Sequence, residues 1–263
     1  FSIFLIFNLT WVSTAQAAAV FVDSFSITSS VPGTENDPRD VAFNSNGTKM
    51  FVLGRAGEKV YEYTLSTGFD VSTSTFVDSF NIADDEEAAT SLEFNTQGTK
   101  MYIVGQNSNE VDEYTLTTGF DVSTASFVDS LDIASQDDDG NGLAFNNDGT
   151  KMFIAGHEND NVYEYTLSTR FDVSTASFVD SFDVSSQDTE PAAVAFNSDG
   201  TKMFVVGAAG KDVNEYTLTT GFDVSTATFL DRFSVNSEET EPRGLTFNND
   251  GTKMYVVGWT GDD

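Results

Sequence analysis

The only histidine in the chain is His157, and there is no cysteine. An imidazole beside Glu158 and Asp160 could serve as a base or a ligand, because its charge changes near neutral pH. It cannot build a three-histidine metal site or any triad that needs a second histidine. Thiol nucleophiles, thiolate metal sites and disulfides are excluded as well. Oxygen donors are plentiful, with 42 Asp and Glu against 12 Lys and Arg and a net charge of −30. The run Asp137-Asp138-Asp139-Gly140-Asn141-Gly142 has the donor density of a calcium loop, but no bidentate Glu follows at EF-hand spacing. A solvated acidic turn is the plainer reading of it.

These residues sit on a repeat. The glycines of the Gly-Thr-Lys tripeptides, Gly47, Gly98, Gly149, Gly200 and Gly251, are each 51 residues apart. A fixed period of this size is the mark of a repeat architecture. A residue kept in every copy serves the fold, and one that differs between copies is free for other work. Each copy reads as four short strands. In the third, Leu143-Ala-Phe145 leads through an Asp148-Gly149 hairpin turn to Lys151–Ala155, and Val162–Leu167 and Phe178–Val184 follow. No helical periodicity interrupts them. The expectation is an all-β chain, a β-propeller of four-stranded antiparallel blades, with a β-solenoid as the competing arrangement.

Strand order then sorts the loops. The X-Gly hairpins and the Ser-Thr-Gly-Phe-Asp-Val-Ser-Thr connections share one face and hardly vary. The loops between second and third strands, and those leading into each next blade, share the other face and diverge. Arg55, His157 and Trp259 occupy equivalent places there, as do Gln106 and Ala208. The acidic linking loops add Asp37, Glu87, Asp139, Glu190 and Glu241. Variation concentrated in the loops of one face is where repeat proteins usually bind. On the first strand, Glu93 stands where the other copies carry Ala42, Ala144, Ala195 and Thr246. It is expected to put an isolated charge on the central channel. Glu62, Glu113, Glu164 and Glu215, and the Lys of each Gly-Thr-Lys, recur in every copy and are expected to be structural.

The ends carry their own signals. Residues 1–17, FSIFLIFNLTWVSTAQA, combine an apolar run with an Ala15-Gln-Ala17 exit, which reads as a secretory leader without its charged start. The propeller would then occupy residues 18–263. It would begin with a fourth-type strand at Phe21–Phe25 that closes the ring, continue through four full blades, and stop two strands into a fifth. On that reading the last blade is incomplete and its sheet edges are open. No segment is apolar enough over ~20 residues to span a membrane. The acidic surface disfavours nucleic acid.

The run Pro242-Arg-Gly-Leu-Thr-Phe-Asn-Asn-Asp-Gly-Thr-Lys-Met-Tyr-Val256 resembles the bacterial YVTN and surface-layer-type propeller repeats. It is more distantly similar to NHL and gluconolactonase-type propellers. The resemblance covers about residues 20–258 and implies the fold. The chain departs from the namesake tetrapeptide, with Val257-Gly258 after Tyr255-Val256, and the resemblance implies no catalytic residue, because such propellers include binders, surface proteins and some hydrolases. The functional expectation is an exported, non-catalytic binding or surface module, secreted or periplasmic, that meets an extracellular glycan or protein. No cofactor is expected, with Ca2+ or another divalent cation as the alternative. A divalent-metal-dependent, lactonase-like hydrolase and a purely structural surface-layer protein are the competing functions.

Overall fold

Alternating apolar residues and a turn signal in every copy dictate hairpins, and hairpins are what form. The structure, a computed structural model, describes residues 3–9, 19–27, 35–86 and 88–259. Two strands come first, β1 (Ile3–Leu9) and β2 (Ala19–Ser26). The first full blade is β3 (Pro38–Phe43), β4 (Lys49–Gly54), β5 (Lys59–Leu65) and β6 (Ser74–Asn81). The second is β7 (Ala89–Phe94), β8 (Lys100–Gly105), β9 (Glu110–Leu116) and β10 (Ala125–Asp132). The third is β11 (Gly140–Phe145), β12 (Lys151–Gly156), β13 (Asn161–Leu167) and β14 (Ala176–Asp183). The fourth is β15 (Pro191–Phe196), β16 (Lys202–Gly207), β17 (Asp212–Leu218) and β18 (Ala227–Ser234). The chain then adds β19 (Pro242–Phe247) and β20 (Lys253–Gly258). Each blade is an antiparallel sheet in sequence order, and the blades form a β-propeller. A single 3₁₀ turn, such as Val71–Thr73, joins the third and fourth strands of each full blade.

The ring closes at five sheets, which corrects the expectation of an incomplete fifth blade. The fifth sheet has the order β19-β20-β1-β2, so both ends of the described chain build it. The third-strand place, expected to be empty, is taken by β1, which pairs with β20 on one side and β2 on the other. Residues 3–9, read above as part of a leader, therefore satisfy the backbone groups of β20 that would otherwise form an open edge. The Ala15-Gln-Ala17 exit lies outside the described residues. The partner of β2 is thus upstream in the chain.

Aromatic wedges show the same closure. A second-strand ring of each blade meets a first-strand Phe of the next: Phe51 with Phe94 at 4.5 Å, Tyr102 with Phe145 at 4.6 Å, Phe153 with Phe196 at 4.3 Å and Phe204 with Phe247 at 4.7 Å. The series ends with Tyr255 on Phe43 at 4.6 Å, joining the fifth sheet to the first blade. Rings at these tilted contacts add to the apolar area that they bury.

The invariant charges are bolts between blades, as their recurrence suggested. Lys49, Lys100 and Lys151 pair with Glu62, Glu113 and Glu164 at 2.6, 2.5 and 2.6 Å. Each Lys Nζ also donates to a carbonyl of the following blade, on Phe120, Phe171 and Phe222. Each Glu accepts the N–H of Val122, Val173 or Val224 there. In the fifth sheet, Lys253 and Tyr255 both donate to the Phe69 carbonyl, at 2.8 and 2.9 Å.

Those Phe residues explain the hairpin glycines. Phe69, Phe120, Phe171 and Phe222 adopt φ of 57–60°, and each ring lies where a Cβ on Gly47, Gly98, Gly149 or Gly200 would stand. Gly251 has the same left-handed backbone, φ 66°, but nothing within 4 Å of that place. Gly251→Ala should therefore cost only the backbone term, about 1 kcal/mol, whereas Gly149→Ala must also displace the Phe171 ring. Urea unfolding of the two variants checks this, and equal losses would refute the ring contact.

Candidate functional site

The first strands of all five sheets face the axis, and their sequence shapes the channel. At one end the strands converge. A Cβ on Gly142 would stand 2.6 Å from the Ala193 Cα, and one on Gly244 would stand 2.6 Å from Asp40 Oδ1. From there the walls open towards the X-Gly hairpins, enclosing a cavity of about 690 Å³. Its mouth is a ring of equivalent residues, Ser45, Thr96, Asn147, Ser198 and Asn249. Asn147 Nδ2 donates to the Ser198 carbonyl at 2.5 Å, and Asn249 Nδ2 donates to that of Ser45. The rim is therefore partly stitched from blade to blade, and Lys202 and Asp250 also line the cavity. Phe43, Phe94, Phe145, Phe196 and Phe247 contribute to the wall.

Three carboxyl groups line this funnel: Asp40, Glu93 and, by the hairpins, Asp250, which accepts the N–H and hydroxyl of Thr252. Asp40 lies at its narrow end and is buried. Its carboxylate accepts the Ser91 hydroxyl at 2.7 Å and the N–H groups of Leu92 at 2.9 Å and Val41 at 2.8 Å. Ser91 Oγ in turn accepts the Leu143 N–H at 3.1 Å, so one side-chain chain spans three blades. Burial pushes the Asp40 carboxyl up to about 7, against the three hydrogen bonds that favour its anion. Glu93 is on the wall, half-buried, and no described residue donates to it. Burial, and then the charge of Asp40, push it up to about 8. At neutral pH it is mostly a protonated acid that can donate one hydrogen bond and accept others.

The structure places the other sequence candidates on the opposite face, in pairs. The N–H groups of Arg55, His157 and Trp259 donate to the carbonyls of Asp37, Asp139 and Glu241, at 3.0, 2.9 and 3.3 Å. His157 Nδ1 lies 2.6 Å from Asp139 Oδ2. Asp37 is taken by Arg39, whose Nη2 donates to Oδ2 at 2.9 Å while Nε lies 2.8 Å from Oδ1. Ala208 donates in the same way to the Glu190 carbonyl, at 3.0 Å. Glu87 lies outside the described residues. These residues share a face with one another but not with Glu93, whose cavity opens on the hairpin side.

A periodic signal in the linking loops explains much of their acidity. Glu35, Glu86, Asp137, Asp188 and Glu239 are 51 residues apart, and all are buried. Each accepts the N–H two residues on, at 2.6–3.0 Å. Asp137 also holds the N–H groups of Glu158 and Asn159 and the Tyr163 hydroxyl. It brackets the turn after β12 and is saturated with donors, and Gly140–Phe145 is strand β11. The apparent calcium loop is thus a turn bracket. Among the described residues, no three His, Asp or Glu side chains converge to hold a metal ion. Reading the acids by position in the repeat, and not as variable clusters, would have found this bracket in the sequence.

No family model and no curated protein matches the chain. Solved structures do match it by shape. The nidogen/laminin complex gives a TM-score of 0.59 at 11% identity, over 98% of this chain and 86% of that one. The periplasmic gluconolactonase of Pseudomonas aeruginosa gives 0.50 at 16%, over 88% and 67%. A Bacteroides uniformis protein named for 6-phosphogluconolactonase activity gives 0.51 at 12%, and this chain spans only 55% of its length. At such identities the likeness is one of fold, and the fold is a β-propeller.

Proposed function

We propose that the chain is a non-catalytic binding propeller whose central funnel takes a neutral, polyhydroxylated ligand such as a glycan end. The observation that carries this is Glu93. It is the one acid in a ring of small residues, no described residue donates to it, and it stands in a cavity of about 690 Å³. A protonated carboxyl, a rim rich in amides and hydroxyls, and Phe walls offer a sugar both hydrogen bonds and stacking surface. The net charge of −30 supports a ligand that is not an anion at this mouth. The acidic balance and the leader-like composition of residues 1–17 are what support an extracellular or periplasmic setting. A cleaved leader and strand β1 are, however, mutually exclusive uses of residues 3–9.

A hydrolase is the second reading. It is favoured by the two carboxyls shifted towards neutrality and by the lactonase names of two structural neighbours. Binding is preferred because Asp40 accepts three donors and Asp250 is held by Thr252, which leaves Glu93 as the one lining carboxyl without a donor among the described residues, where an acid and a base are needed. The test is a glycan panel read by thermal shift, with a lactone and ester panel read for turnover. Saturable glycan binding lost in Glu93→Ala supports the proposal. Turnover abolished by Glu93→Gln would replace it with the hydrolase.

A further inference from the structure

Only five arginines occur in this chain, and three of them, Arg39, Arg55 and Arg243, meet at one place on the variable-loop face. Arg39 and Arg243 are equivalent residues of β3 and β19, the adjacent first strands where the ring closes. The corresponding places in the other blades hold Thr90, Asn141 and Ala192, so the fold does not require a guanidinium there. Arg39 is buried, and burial lowers its proton affinity; Asp37 opposes that, while the charges of Arg55 and Arg243 add to it. Asp37 compensates Arg39 at 2.8 Å, and Glu241 lies 3.5 Å from Arg243 Nη2. The Arg55 guanidinium has no hydrogen-bond or ion-pair partner among the described residues. The Nε of Arg243 is buried without an acceptor. The neighbouring Glu35 and Glu239 turn inward and accept N–H groups of their own loops.

We propose that Arg55 and Arg243, backed by Arg39, form a binding site for a small organic monocarboxylate. Arg55 and Arg243 keep donor groups that no described side chain fills, while Asp37 holds Arg39. A planar carboxylate matches the open guanidinium fork. A dianion such as phosphate meets more repulsion from Asp37, Glu241 and the neighbouring Glu35 and Glu239. The exposed indole of Trp259, whose backbone is bonded to Glu241, offers an apolar flank for an aromatic acid. This site is separate from the funnel, so its test does not depend on the glycan reading.

The experiment follows the arginine Nε–H resonances of the full chain while benzoate is added at constant ionic strength. Methyl benzoate and inorganic phosphate serve as comparison probes. The expected result is a saturable shift of Arg55 and Arg243 with benzoate, none with the ester, and none at Arg170 or Arg232. Arg55→Ala and Arg243→Ala should each weaken binding about tenfold, as expected for loss of a charge-assisted hydrogen bond. Arg55→Gln, a milder change in a loop, should weaken it similarly with an unaltered melting midpoint. Glu93→Gln should leave it unchanged. Equal drift at all five arginines, an equal response to the ester, tighter binding of phosphate, or undiminished affinity in Arg55→Gln would overturn the assignment.

Discussion

Replacing Glu93 by Gln is expected to stabilise the protein at pH 9 relative to the parent and to leave it at a disadvantage, or level, at pH 5. The sign follows from proton binding. In the folded chain the Glu93 carboxyl is pushed up to about 8 from 4.5, first by burial and then by Asp40. Between those values the folded state holds a proton that the unfolded state has released. The parent's stability from this group is thus fully present below about pH 4.5 and is lost as pH rises through about 8. Gln carries no such dependence. At roughly 1.4 kcal/mol per pK unit, and discounting for water that enters the funnel, the two variants should diverge on the order of 3 kcal/mol between pH 5 and 9. Asp40, pushed up to about 7, is coupled to Glu93, so the parent should lose stability in a broad step and not at one sharp value. Urea titrations of both proteins at pH 5, 7 and 9 measure the divergence. Parallel stability curves would mean that Glu93 is hydrated as well as any surface carboxyl.

The fold was legible because every copy states it again. The 51-residue spacing, the Asp-Gly turns and the alternation of Leu143 and Phe145 with Ala144 gave blade, strand order and channel face directly from residue types. The fifth sheet was not legible. Its third strand is Ile3–Leu9, which does not match the repeat and has the apolar character of a leader, so backbone pairing with β20 had no signature in side chains. Glu93 could be singled out because it breaks a column of small residues. Asp40 escaped notice for a physical reason. It sits one pleat nearer the narrow end, where the copies hold Ser91, Gly142, Ala193 and Gly244, a column too mixed to make an acid stand out. Its burial depends on the close approach that Gly142 and Gly244 permit, and that approach exists only once the ring is closed. The acidic loops misled in the opposite direction. Asp137 and its equivalents looked like surface charge, whereas each is buried as an acceptor for its own loop. Short loops leave backbone N–H groups that strands cannot satisfy, and a carboxylate is the strongest acceptor at hand.

The largest loss of stability is expected from Glu164→Ala, and a matched variant shows why. Glu164 is buried on β13, with Oε1 2.6 Å from Lys151 Nζ and Oε2 accepting the Val224 N–H at 3.0 Å. Lys151 reaches on to the Phe222 carbonyl, so the pair ties the third blade to the fourth. Truncation leaves an ammonium with one neutral acceptor and a buried N–H with none. Breaking a buried pair from one side typically costs about 3–5 kcal/mol. Glu215 is the same residue one repeat later and pairs with Lys202 at 2.5 Å, but its side chain is 24% exposed against 3% for Glu164. Water can replace its partner, so Glu215→Ala should cost about 1 kcal/mol. Chemical denaturation of the two variants at pH 7 gives the comparison. If the bolt between blades resides in the charges, Glu164→Gln should recover only part of the loss, because an amide oxygen can still accept from Val224 while the ion pair is gone. A double change of Lys151 to Met and Glu164 to Leu should recover more of the Lys151 desolvation cost than Glu164→Gln, at the expense of the Val224 N–H. Equal losses for Glu164→Ala and Glu215→Ala would show that strand pairing, and not the buried ion pair, sets how firmly neighbouring blades are held.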